Sequence, residues 1–405
     1  MKNSNGMTAP EYTIQRDIIS EGFDGKMEWW DARVGIMPPN KAVLLMLRSD
    51  VDTSDVARAT YSMRSDDFGR NWSQPMAQPN LAPVPIQEGR FLQMPWDLVP
   101  AWHAATKKLL ALGHTNAFVV GGKTPAFGSD APCTFPCYCV YDAKCAEWGT
   151  WDVLDLPDEN RFYRTAGGAA QRVDLPNGDI LWPIYYLKRE AVNQDSPWHN
   201  GAYYSAAVLR CRFDGQTLKV IEYGDELTLA EPRGFCEPSL TQYDGTFYLT
   251  LRNDVRGYVA TSPDGLHFDP PTPWTFDDGE DLGSYNTQQH WVTHSEGLFL
   301  VYTRRGADND QVIRHRAPLF MAQVDPVRRC VIRATERILL PNKGAQFGNF
   351  GVVNVSPQET WVVDTEGMLG DVENPHDVER TVRRGANNRV YLCRLIWNKP
   401  NRLVK

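Results

Sequence analysis

Arginine, histidine, tyrosine and carboxylate side chains recur at matching places along this 405-residue chain, each near the start or end of a strand-like run. Asp31 and Arg33 lie in EWWDARVG, His103 and His114 in AWHAATKKLLALGHT, Arg164 and Arg172 in YRTAGGAAQR, and Tyr186 closes WPIYY. Arg233 and Glu237 lie in EPRGFCEPSL, and Arg252 follows after one more run. Asn286, Gln289 and His290 lie in GSYNTQQHW; Arg304 and Arg305 in YTRRGADND cluster with Arg314 and Arg316, as a solvated rim or a pocket for an acidic substrate. Several guanidinium groups on one concave surface can grip a carboxylate, because the planar fork matches two oxygens. An imidazole, phenol or carboxyl beside them can move a proton. Abundant Trp and Tyr would stack on sugar rings, so the chemistry pointed to is that of an acidic sugar. Each residue also has an ordinary structural role open to it: Glu237 can pair with Arg233, and His290 can bond a neighbouring strand. Recurrence in at least five segments favours a shared site.

The elements that must position these groups are short strands. The chain carries 13 Trp, 16 Tyr and 16 Phe with 31 Gly and 28 Pro, which suits tight turns between strands and not long helices. Six segments repeat one pattern of strand, short polar turn and second apolar strand: 33–48, 98–114, 171–187, 239–252, 290–304 and 350–366. Their spacing is that of propeller blades. Further strand pairs follow most of them, making four strands per blade. The strand at 389–396 and the N-terminal one at 12–19 would complete one blade together and close the ring, which removes sheet edges. The expectation is an all-β, single-domain β-propeller of four-stranded antiparallel blades covering residues 1–405, with a core over about 12–397. The count is six, or seven if a further blade lies within 72–94.

A turn signature occurs twice. Ser65-Asp66-Asp67-Phe68-Gly69-Arg70-Asn71-Trp72 reads S-x-D-x-G-x-x-W, and Ser262-Pro263-Asp264-Gly265-Leu266-His267-Phe268 is a shortened form. An Asp there accepts turn N–H groups, and the Gly supplies positive φ. Both resemble the Asp-box of sialidase-like (BNR) propellers, where it staples a hairpin remote from the active site. The phrases WHAATKKLLALGHT, AAQRVDLPNGDILWPIYY, GSYNTQQHWVTHSEGLFLVYTRRGADND, HRAPLFMAQVDP and AQFGNFGVVNVS resemble a narrower group, the rhamnosyl-glucuronate lyases and related exo-rhamnosidases, over about residues 25–397. That resemblance implies seven blades, and an enzyme acting at the end of an acidic, uronic-acid-containing glycan. It also implies a catalytic His where this chain has Asp31, while Arg33 is kept.

In β-elimination, Arg172 or Arg233 would neutralise the uronate carboxylate, and His103, His114 or Tyr186 would take the C5 proton, with Asp31 a substitute base. Arg33, Arg164, Arg233, Glu237, Arg252, His290, Arg304 and Arg305 would bind substrate. Hydrolysis, by an exo-rhamnosidase or a sialidase-like enzyme, is the alternative. Arg33, Arg233 and Arg304 could imitate a sialidase arginine triad with Glu237, but no tyrosine-nucleophile segment stands out near the C-terminus. A glycan-binding propeller without turnover is the third reading.

The partner expected is an acidic oligosaccharide. With net charge −8 the chain has no basic face for nucleic acid, and no apolar run long enough for a membrane. The opening residues, MKNSNGMTAPEY, read as no signal peptide, so the expected location is cytoplasmic, or periplasmic or secreted for a chain trimmed of its leader. No organic cofactor is expected. Calcium is conceivable through Asn286 and Gln289, with His290 as a less typical ligand. Cys133, Cys137, Cys139 and Cys145 cluster without finger-like His spacing, so reduced thiols are expected and zinc is not.

Overall fold

The computed structural model describes residues 10–51, 53, 55–126, 131–191 and 203–404, so the opening segment MKNSNGMTA, on which the expectation about a leader rests, lies outside them. Six antiparallel sheets follow one another along the chain. Blade I is Met27–Met37, Lys41–Asp50, Ala59–Ser65 and Met76–Ala77. Blade II is Phe91–His103, Lys108–Val119 and Pro136–Asp142 with short outer pieces, and Val84–Ile86 pairs with the strand nearest the centre. Blade III has that innermost strand in two pieces, Arg164–Ala166 and Val173–Asp174, then Asp179–Leu187, Tyr203–Phe213 and Leu218–Tyr223. Blade IV is Cys236–Tyr243, Thr246–Arg252, Tyr258–Ser262 and Thr272–Pro273. Blade V is His290–His294, Gly297–Tyr302 and Leu319–Asp325, with Cys330–Val331 and Arg337–Leu340 on its outer side. Blade VI is Gly351–Ser356, Glu359–Thr365, Val390–Trp397 and, outermost, Tyr12–Ser20.

The fold is therefore a six-bladed propeller. Each of the six repeats read from sequence is the inner hairpin of one blade. The seven blades implied by the lyase resemblance are not present: residues 72–94 hold two short strands and two 3-10 turns that carry the chain from blade I to blade II. The N-terminal strand closes the ring by pairing Tyr12 with Trp397 and Ile18 with Tyr391.

Apolar side chains pack between neighbouring sheets. Trp182, Ile184 and Tyr186 of blade III meet Leu110 and Leu112 of blade II, and Phe299, Val301 and Met321 of blade V meet Val362, Cys393 and Trp397 of blade VI. The two turn signatures are built alike. Asp67 accepts the N–H groups of Arg70 and Asn71 at 3.1 and 2.9 Å, and Asp264 those of Leu266 and His267 at 2.9 Å each. Ser65 and Ser262 each donate to that Asp and accept a Gly N–H at 2.8 Å. Gly69 and Gly265 take φ of +71° and +80°, which any side chain would resist. All eight cysteines are unpaired; Cys137 and Cys139 lie on the same face of one strand, as their spacing requires.

Candidate active site

The innermost strands of blades I, II and IV carry the same irregularity. Their pairing slips at Trp30/Arg33, at Trp96/Val99 and at Cys236/Ser239, and each slip is a bulge. The residue on each bulge is acidic and left-handed: Asp31, Asp97 and Glu237, with φ of +54°, +51° and +41°. A non-glycine residue pays for that conformation in strain, and such strain concentrates where a side chain must be aimed. Ala169 of blade III has φ of +54° and takes the N–H to O=C bond to Asp97 at 3.0 Å. The neighbouring Gly168 is a close approach: a Cβ there would fall 2.4 Å from Cβ of Asp97 and 2.5 Å from Nδ1 of His114.

These bulges face one another across the ring, since their charges act on each other between blades that are not adjacent. Asp97 of blade II senses Glu237 and Arg252 of blade IV. His290 of blade V senses Arg33 of blade I. Arg33, almost wholly buried, donates to Oε1 of Gln288 at 3.0 Å and to the carbonyl of Asn349, and lies 3.9 Å from the Asp97 carboxylate. Glu237 pairs with Arg252, which also donates to Oδ1 of Asn286 at 2.5 Å. Arg316, 5% exposed, donates through Nη2 to the Asn286 carbonyl at 2.7 Å. Arg314 is exposed and makes no hydrogen bond among the described residues, yet lies within electrostatic reach of Arg252 and Arg233 and of the carboxylates of Asp55 and Asp254.

Two electrostatic domains result. On blades I, II and VI, burial and then the adjacent Asp97 push the Asp31 carboxyl well above the carboxylate range. Burial outweighs the pull of Arg33 and lifts Asp97 to about 7, and burial lifts Asp364 to about 7 as well. On blades IV and V, burial followed by repulsion from Arg314 and Arg252 lowers Arg316 to about 9. Burial would raise Glu237, but Arg252 outweighs it and holds that carboxylate low. Burial lowers His114 to about 4, so its ring is neutral at pH 7, and neither ring nitrogen has a hydrogen-bond partner among the described residues. Several buried polar atoms here also lack partners: Oδ1 of Asp31, Oε2 of Glu237, and Nε of Arg33 and of Arg252. Unsatisfied buried groups concentrated in one place are the mark of a ligand site.

Of the residues singled out in the sequence, the structure brings Asp31, Arg33, His114, Arg233, Glu237, Arg252, Asn286 and His290 to this cluster or its wall. Arg164 joins them through its field on Tyr204. Others lie elsewhere. His103 ends the same strand that carries Asp97, six residues on and about 20 Å away at the opposite mouth. There it bonds Thr106 at 2.7 Å and the carbonyl of Gly178 at 2.8 Å. Arg172 holds Asp174 and the carbonyls of Ala101 and Leu110, tying blade III to blade II. Tyr186 points into the blade II–III core and meets Arg161; the adjacent Tyr185 faces the opposite way, toward Glu237 and Asp97. Arg304 is spent on Glu336, and Arg305 stacks on Tyr285 at 4.1 Å. Gln289 donates to Ser284 at 2.8 Å.

The calcium set does not fit. Oδ1 of Asn286 receives the Arg252 guanidinium, and both ring nitrogens of His290 are engaged by Ser239 and Gln288. Among the described residues no three His, Cys, Asp or Glu side chains form a metal-holding group.

Asp97 is the site residue that the sequence reading missed; Tyr185, Arg314 and Arg316, read there as part of a tyrosine pair and a local basic cluster, do reach the site. One signal was available: Trp-Asp occurs in the innermost strand of two successive blades, as Trp30-Asp31 and Trp96-Asp97.

No protein-family model matches the chain, and no curated protein matches it in sequence. Solved structures do match the fold. A protein of unknown function from Dyadobacter fermentans is 16% identical at a TM-score of 0.64, covering 95% of this chain and 99% of that one. Trypanosoma rangeli sialidase in complex with sialic acid is 13% identical at a TM-score of 0.58, covering 95% of this chain and 58% of that one. The K499G mutant of NanB sialidase from Streptococcus pneumoniae is 10% identical at 0.60, covering 93% and 70%. The class is thus a six-bladed propeller of the architecture found in sialidases, and this chain spans little more than half of the trypanosomal enzyme.

Proposed function

We propose that the protein is a carbohydrate-active enzyme that cleaves at an acidic sugar near the end of a glycan. The observation that carries this reading is the cationic group on blades IV and V, where Arg233, Arg252, Arg314 and Arg316 gather and Arg314 makes no hydrogen bond or ion pair among the described residues. A sugar carboxylate placed there would supply the missing counter-charge. Across the ring, the Asp31–Asp97 carboxyl pair holds a proton near neutral pH and is the acid for the departing glycosidic oxygen. Tyr185, beside Glu237, keeps its proton because burial and that carboxylate raise it, and its oxygen faces the positive charge growing at the anomeric carbon; water then bonds to that carbon and gives its proton back to the carboxyl pair. No metal enters this scheme. Hydrolysis fits it best, in keeping with glycosidase neighbours of the same fold.

A second reading, β-elimination beside a uronic acid as in rhamnosyl-glucuronate lyases, is favoured by His114, a neutral imidazole with neither nitrogen engaged. Incubation with sialyl- and glucuronyl-terminated oligosaccharides tests both. Hydrolysis yields products that add one water; elimination yields an unsaturated uronate that absorbs in the ultraviolet and is lighter by one water. Tight binding with no product after prolonged incubation would make this a glycan-binding propeller and would refute the enzymatic reading.

A further inference from the structure

The wall of the funnel is divided by charge sign. Blades IV and V bring Arg233, Arg252, Arg314 and Arg316 together with fewer carboxylates, Glu237 and Asp254, whereas blades I and II present Asp31 and Asp97. The one arginine on the acidic side, Arg33, is already committed: Nη1 to the carbonyls of Ala32 and Asn349, Nη2 to Gln288 and the Asp97 carboxylate. Asp31 is 5% exposed, and its Oδ1 has no hydrogen-bond partner. A buried carboxyl oxygen in that condition destabilises the free protein unless a ligand supplies a partner.

We infer that the ligand is a sugar with one anionic group only, whose carboxylate lies toward blades IV and V and whose opposite edge presents neutral hydroxyl donors to Asp31 and Asp97. This rests on the acidic-sugar reading above and adds to it what the far side of the funnel rejects. Ring hydroxyls can donate to Oδ1 of Asp31 and to the Asp97 carboxyl, completing the pairing the protein leaves open. A second anion on that edge, a sulfate or another carboxylate, would meet Asp31 and Asp97, with Asp55 and Asp364 in electrostatic reach, and Arg33, the guanidinium beside them among the described residues, is already engaged. With one shared proton the carboxyl pair still carries negative charge, and a second anion beside it gains no counter-charge because Arg33 is already divided among its acceptors. Highly sulfated glycans are therefore excluded although the funnel contains four arginines on its cationic side.

The test is calorimetric binding to the full chain of three related probes: an acidic monosaccharide, its neutral methyl ester, and its O-sulfate. Glucuronate and N-acetylneuraminate each serve as the parent. The parent acid should bind, and both the methyl ester and the sulfate should bind at least about tenfold more weakly, one step of 1.4 kcal/mol. In the Asp31→Asn/Asp97→Asn double variant the sulfate should recover to within a few-fold of the parent. A sulfate that binds the unaltered protein as tightly as its parent refutes the inference and leaves the acidic-sugar reading standing. Acid and ester binding equally would refute that reading itself, and this inference with it. Persisting rejection of the sulfate by a folded double variant would also overturn the electrostatic account. Should that variant not fold, the measurement on the unaltered chain decides alone.

Discussion

The guanidinium of Arg33, on blade I, donates to Oε1 of Gln288, which leads into blade V, at 3.0 Å. Blade VI lies between these two sheets, so the contact is a chord across the ring and not a bond between neighbours. Nη1 of Arg33 also holds the Asn349 carbonyl of the segment entering blade VI, and Nη2, the nitrogen that bonds Gln288, lies 3.9 Å from the carboxylate of Asp97. Arg33→Met should destabilise the protein by about 3–5 kcal/mol, because it strands buried acceptors and carboxyls without their cation. Urea unfolding measures this; a loss below 1 kcal/mol would mean the chord is ornamental.

Arg314 should behave in the opposite way. It is exposed and bonds nothing of its own chain among the described residues. Arg314→Ala should leave the unfolding free energy within about 0.5 kcal/mol. It should lower kcat/KM on an acidic glycan by about 10- to 100-fold, the worth of one charge-assisted contact. Unchanged kinetics would remove Arg314 from the site.

The Asp31–Asp97 pair sets a pH limit. Asp97 is lifted to about 7, chiefly by burial. Its protonated form is the acid, so activity should fall as pH rises through about 7. Asp97→Asn should lower kcat by about 100-fold or more and erase that alkaline decline. A decline that persists unaltered in the variant belongs to another group.

Glu28 makes a prediction about stability. It is 3% exposed, burial lifts it to about 8, and its Oε2 accepts the Met368 N–H at 2.6 Å. The native state therefore binds a proton that the unfolded chain releases near pH 4. This contribution is full below pH 4 and is lost as pH rises to 8, at up to about 1.4 kcal/mol per pH unit. Glu28→Gln mimics the protonated form, so its stability should fall less than wild type between pH 5 and 8. Parallel urea midpoints across that range would show that Glu28 is not the group responsible.

Ser65 is the hub of the first turn signature, 2% exposed, donating to Asp67 and accepting the Gly69 N–H. Ser65→Ala leaves that N–H without its acceptor and should cost about 1–2 kcal/mol without touching kinetics. An altered kcat would contradict the remoteness of this turn from the site.

The blades were legible because hairpins write themselves locally: apolar runs, a polar turn, another apolar run. The N-terminal strand was legible as the missing outer partner of the strand Val390–Trp397. The site was half legible. Asp31, Arg33 and Glu237 stood out by type, but a bulge reverses which way a strand residue points, and nothing in one sequence announces its positive φ. Tyr185 and Tyr186 illustrate the parity problem. Both faces of that strand pack against protein, so no polar alternation reveals which phenol faces the funnel. Arg304 and Arg316 sit in similar polar loops; what separates them is Glu336, a distant residue that neutralises one and not the other.

Blade VI has a consequence for biosynthesis. Its outermost strand, Tyr12–Ser20, leaves the ribosome before the other strands of the ring, and the strand it pairs with, Val390–Trp397, only after residues 21–389 have been made. At about 5–20 residues per second that delay lasts tens of seconds. Throughout that time five sheets can assemble as an open arc whose first and last edges have nothing to adjoin. An Arg33 chord to Gln288 formed early would draw the two ends of that arc together, and the late-arriving strand would then lock a circle already near closure.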